Sequence, residues 1–116
     1  MHNIQELKIW NRAIDLCVFI YELSAEFPKD ERYGLTSQIR RCSVSIASNI
    51  AEGAGRNTKG EFIQFLGIAN GSAYELQTQV IIAQKLGLFR ADVVSVLDNI
   101  DEIQKMCYKL QQSLKK

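Results

Sequence analysis

At 116 residues the chain has room for one domain, residues 1–116, and its 47% hydrophobic and 23% charged content is that of a soluble globular protein. A formal net charge of +1 disfavours a broadly cationic nucleic-acid chaperone and leaves any basic site to local clustering. No apolar run approaches the ~20 residues that span a bilayer, and the first residues lack the basic start and apolar run of a signal peptide. The expectation is a cytoplasmic protein with no membrane partner.

Four segments carry helical periodicity and none alternates as a strand does. The first spans residues 4–27 and ends before Pro28, whose ring disfavours a helical residue ahead of it. It carries two apolar rows. One is Leu7, Trp10, Ile14, Cys17 and Tyr21; the other is Ile9, Ala13, Leu16, Ile20, Leu23 and Phe27. At 100° per residue the rows lie well apart around the helix, so one faces the core and the other needs a second cover. That second row predicts an oligomer.

A polar connection over 28–34 leads to a second helix at 35–51, with Leu35, Ile39, Cys42, Ile46 and Ile50 inward and Gly53 and Gly55 as its left-handed stop. The third helix opens with Thr58-Lys59-Gly60-Glu61, which reads as a capping box, and runs to about residue 86 with Gly87 as its stop. Phe62, Leu66, Ala69, Ala73, Leu76, Val80 and Ala83 form its core row. Gly67 and Gly71 each cost up to ~1 kcal/mol of helix propensity, which predicts a close helix approach there. The fourth helix, 91–114, presents Val93, Leu97, Ile100, Ile103, Cys107, Leu110 and Leu114. Short connections make sequential neighbours antiparallel, so the fold class is all-α, an up-down-up-down antiparallel four-helix bundle.

Enzymatic chemistry has little to use. The sole histidine is His2, near the chain start, and the carboxylates do not form the Glu-x-x-His pairs of di-iron bundles. Cys17, Cys42 and Cys107 lie on helical apolar rows, odd in number and without a C-x-x-C pair, as reduced structural thiols. The glycines of Glu52-Gly53-Ala54-Gly55-Arg56 follow no strand and lack the Gly-Lys-Ser/Thr ending of a phosphate loop. No catalytic residue, metal or cofactor is expected.

A polar row on the second helix, Gln38, Arg41, Ser45, Asn49 and Glu52, is more informative. Antiparallel pairing about the turn brings Asn49 toward Glu61, Arg41 toward Ser72 or Glu75, and Gln38 toward Glu75. The favoured reading is a structural polar seam that fixes register, the other a polar ligand or nucleic-acid surface. Residues 34–60 also hold Arg40, Arg41, Arg56 and Lys59 against Glu52 alone. Arg56 and Lys59, beside the open amides of the third helix, and Arg40, off the core row, are candidate phosphate contacts. In a monomer they read as solvated charge; repeated around an assembly they build a basic surface.

Leu7-Lys8-Ile9-Trp10, Phe27-Pro28 and the run from Glu31 to Arg41 resemble the bacterial four-helix-bundle proteins encoded in intervening sequences of 23S ribosomal RNA genes. So do Ser45-Ile46, the run from Ser48 to Gly53, Gly55-Arg56, Glu61-Phe62, and Ala69 to Ser72 with Glu75-Leu76. The pattern differs at Cys42, Ala47 and Gln77, where alanine, proline and glutamate are more common. The resemblance implies a bundle assembled as a homopentameric ring. A related branch, the accessory protein of diversity-generating retroelements, binds nucleic acid and a reverse transcriptase. The resulting expectation is a non-enzymatic homo-oligomer, a pentameric adaptor touching RNA or DNA through Arg40, Arg56 and Lys59. The alternative is a protein-interaction scaffold with no nucleic-acid role.

Overall fold

The computed structural model describes residues 3–90 and 93–116. Four helices follow in chain order: α1 Lys8–Ser24, α2 Leu35–Ala54, α3 Lys59–Lys85 and α4 Val94–Leu114. Among the described residues there is no strand. Each helix packs on its sequence neighbours, α2 most extensively on α3, and α4 returns to α1. The result is a rod with extents of 45 × 23 × 20 Å.

The core is where the 3.6-residue period puts it. Ile9, Ala13, Leu16 and Ile20 of α1 are buried, as are Ile39, Cys42, Ile46 and Ile50 of α2. The whole expected row of α3 is buried, and α4 contributes Ile100, Ile103 and Cys107 together with Val96, which the heptad reading passed over. Leu7, Trp10 and Leu23 of the first segment, and Leu97, Leu110 and Leu114 of α4, are only partly buried against this cluster.

The helix ends differ from expectation in instructive ways. The chain enters through a 3-10 turn, Ile4–Glu6, whose Gln5 amide donates to the Asn3 side chain. The first α-helix therefore starts at Lys8 and stops at Ser24, short of Phe27. Phe27 is nevertheless buried, edge-on to Phe89 with ring centroids 5.0 Å apart, so it closes the bundle end from outside the helix. Pro28 then leads into a second 3-10 turn, Lys29–Glu31.

Gly53 does not stop α2. It lies inside the helix, where a Cβ would sit 2.6 Å from Phe65 Cβ and 3.0 Å from Phe62 Cδ1. Gly55 caps the helix with a right-handed φ of −84°, not the left-handed conformation expected. Gly87 does take that conformation, at φ 75°, after α3. No neighbouring backbone closes on Gly67 or Gly71, which are both exposed: a Cβ on Gly71 would meet nothing within 4 Å, and one on Gly67 would meet the Gln111 side chain of α4 at 3.4 Å. His2 and Ala91, the expected start of the fourth helix, lie outside the described residues.

Candidate assembly and ligand surfaces

The second apolar row of α1 is only partly covered by the chain itself. Trp10, Ile14 and Cys17 are half-buried along the edge of α2, while Val18 is 55% and Tyr21 42% exposed. Polar contacts fix how α1 lies on α2. Arg40 Nε donates to Ser24 Oγ at 2.8 Å and Nη2 donates to the Tyr21 carbonyl at 3.2 Å. One turn further, Ser43 Oγ donates to the Arg40 carbonyl at 2.8 Å and lies 3.4 Å from Cys17 Sγ. Val44, exposed, follows Arg40 on the same face of α2. An apolar band rimmed by both helices therefore runs along this side of the rod.

Gln38, Arg41, Ser45, Ser72 and Glu75 line one hollow of about 410 Å³ between α2 and α3, with Cys42 and Gln79. Ser45 and Ser72 share a hydrogen bond of 2.9 Å. The Cys42 thiol donates to the Ser72 carbonyl at 3.0 Å and stands 3.7 Å from a Glu75 carboxylate oxygen. Burial first, and then the Glu75 charge, push this thiol up to about 12; burial alone does the same for Cys107. Asn49 does not reach Glu61; its amide donates to the Ser45 carbonyl at 2.8 Å and hydroxyl at 3.0 Å. Arg41 is exposed and enters no ion pair among the described residues. Periodicity gave no sign of the bridge from α4 to α3, in which Gln104 Nε2 donates to Gln77 Oε1 at 2.8 Å.

At the α2–α3 turn, Arg56 is paired with Glu52 at 3.1 Å, stands 3.9 Å from Glu61 and lies over the Phe65 ring. The Thr58 hydroxyl accepts from the Glu61 amide at 3.1 Å and donates to its carboxylate at 3.0 Å, so the returning Glu61 side chain meets the Thr58 hydroxyl and not the Thr58 amide. Lys59 beside it is exposed. Arg40 is 16 residues back along α2, on the order of 24 Å by the helical rise. The three expected phosphate contacts are thus not brought together, Arg40 lying near the start of α2 and Arg56 and Lys59 beyond its end.

Arg40 belongs instead with a group that includes Arg32 and Tyr33, which periodicity did not single out. Tyr21, Arg32, Tyr33, Thr36, Ser37, Arg40 and Arg41 line a hollow of about 370 Å³ at the start of α2. A smaller one, about 190 Å³, adjoins it and adds Lys29. The loop residues Arg32 and Tyr33 carry no periodic signal, but an arginine and an aromatic side by side ahead of an uncapped helix are a legible cue.

The family model for the 23S rRNA-intervening sequence protein matches residues 5–109. The chain belongs to this family. A solved structure from Bacteroides thetaiotaomicron VPI-5482, described as a protein of unknown function from the S23 ribosomal protein family, has the same fold, with a TM-score of 0.78. It is 21% identical, and the alignment covers 90% of this chain and 95% of that one. Comparison with curated proteins finds no match. Family membership agrees with the four packed helices described above. Among the described residues no helix is long and apolar enough to cross a membrane, and no three His, Cys, Asp or Glu side chains converge as metal ligands.

Proposed function

We propose that this family member is a non-enzymatic, self-assembling bundle, a homopentamer whose work is to scaffold protein partners. The observation that carries the reading is the apolar band of α1, with Val18 and Tyr21 exposed and Ile14 half-buried, continued by exposed Val44 of α2. A single chain has already spent the opposite row of α1 on its core, so burying this one requires another molecule. The non-enzymatic part rests on side-chain chemistry: burial holds two of the three thiols protonated, and the only histidine is at the chain start.

The alternative is an RNA or DNA adaptor that repeats Arg40, Arg56 and Lys59 around the assembly. Charge balance at the α2–α3 turn supports the scaffold over this version. Arg56 is offset there by Glu52 and Glu61, and the Glu61 carboxylate already occupies the start of α3. Co-expression of two differently tagged copies tests self-assembly. Capture of one tag after nuclease treatment brings down the other, and Val18→Asp abolishes the co-capture. Two copies that never co-purify would refute the proposal.

A further inference from the structure

The start of α2 presents open amides beside a group of cations. Its N-cap, Gly34, has no side chain with which to cap the helix. The Glu31 carboxylate reaches the Leu35 amide at only 3.5 Å, and the Thr36 and Ser37 amides make no backbone hydrogen bond outside the helix. Those amides carry the partial positive charge of the helix terminus.

Cations crowd the same place. Arg32, Arg40 and Arg41 line the larger hollow, Lys29 joins Arg32 and Arg40 in the smaller, and no acidic residue lines either. None of these four enters an ion pair among the described residues. Arg40 is held by Ser24 and the Tyr21 carbonyl, so its charge is fixed in position. Glu31 is the nearby acid, turned to the Leu35 amide. Three guanidinium groups around one recess repel each other, and a bound anion relieves that cost, taking N–H donors from Arg32 and Arg41 beside the fixed charge of Arg40.

Two further features narrow the ligand. Thr36, only 8% exposed, lines both hollows and leaves its hydroxyl oxygen buried without a partner. A buried hydroxyl without a partner is costly, and a ligand in the recess that Thr36 lines would supply one. At the rim, Tyr33 is 89% exposed, with Arg32 5.6 Å from its ring centre. An exposed aromatic ring beside phosphate-binding cations is a stacking platform for a base.

We infer that the recess at the start of α2 binds a nucleotide, with the phosphate on Arg32, Arg40, Arg41 and the Thr36 and Ser37 amides and the base on Tyr33. The recess borders the proposed assembly face at Tyr21, and the inference rests on that assembly leaving Arg32, Tyr33 and Arg41 accessible. A free mononucleotide and a segment of single-stranded nucleic acid present the same chemistry. Calorimetric titration of the full chain at low salt with adenosine monophosphate, a short single-stranded oligonucleotide, adenosine and inorganic phosphate tests it. The mononucleotide or the strand binds more tightly than adenosine or phosphate, and the tighter of the two identifies the source. Arg32→Ala with Arg41→Ala weakens that binding at least ~10-fold. Tyr33→Ala weakens nucleotide but not phosphate binding, and Arg56→Ala with Lys59→Ala changes neither. Circular dichroism checks that each variant is folded. The inference is overturned if neither nucleotide nor strand binds, if phosphate binds as tightly as they do, or if the folded Arg32 and Arg41 variant binds like the wild type.

Discussion

Gly53 and Phe65 meet so closely across α2 and α3 that a Cβ on the glycine would lie 2.6 Å from the phenylalanine Cβ. Neither atom is the end of a flexible side chain, so a methyl group there forces the two helix backbones apart. Gly53→Ala gains up to ~1 kcal/mol of helix propensity and loses about 1–3 kcal/mol to overpacking, for net destabilisation in urea unfolding. Gly71→Ala supplies the contrast. Its added methyl meets nothing, and it is expected to stabilise the chain by about 0.5–1 kcal/mol.

The α2–α3 seam is expected to depend on its hydroxyls more than on its arginine. Ser45 bonds to both Ser72 and Asn49, so Ser45→Ala removes two contacts from a partly buried site and costs about 1–2 kcal/mol. Arg41 is exposed and unpaired, so Arg41→Ala stays within about 0.5 kcal/mol of the wild type in the same unfolding measurement. A large loss at Arg41 with none at Ser45 would reverse this assignment.

The thiols report on the core. Cys17 is half-buried, while Cys42 and Cys107 are buried and pushed up from 9.0 to about 12. A disulfide reagent added at pH 8 modifies Cys17 first; the other two react only after unfolding, when the thiolate becomes accessible. The linkage has a definite sign. A raised acid pKa favours the protonated folded state, so the stabilisation is complete below pH 9 and is lost as pH rises from there toward 12. Cys107→Ser flattens part of that alkaline decline, measured as the unfolding midpoint against pH.

The packing faces were legible because they depend only on the helical period. Ile39, Ile46 and Ile50, or Phe62 through Ala83, have few other ways to leave water. What the period misses is any contact set by chain path. Phe27 continues the α1 row in sequence, yet the helix has ended by Ser24 and the ring reaches the core from a loop to meet Phe89. Gly53 reads as a stop because glycine usually is one; only the distance to α3 reveals that its missing side chain is the point. Asn49 was assigned to Glu61 by register alone, but a nearer acceptor on its own helix, Ser45, takes the hydrogen bond. For the candidate sites, Arg40 was found by its position off the core row. Its neighbours Arg32 and Tyr33 were not, since loop residues have no face to be read from.

Self-assembly through α1 is also open to a direct structural perturbation. Val18 lies on the exposed band and outside the buried core, so Val18→Asp leaves helical content intact while breaking association. Placing aspartate at buried Leu16 instead is expected to unfold the chain, since an unpaired buried carboxylate costs several kcal/mol. The contrast between neighbouring positions separates an interface from a core.

The most direct measurement is the solution mass of the full chain by light scattering, with Val18→Asp alongside. A mass of about five chains for the wild type, falling to one for a folded Val18→Asp variant, is the predicted result. A wild-type chain that remains a monomer at every concentration tested would contradict the account.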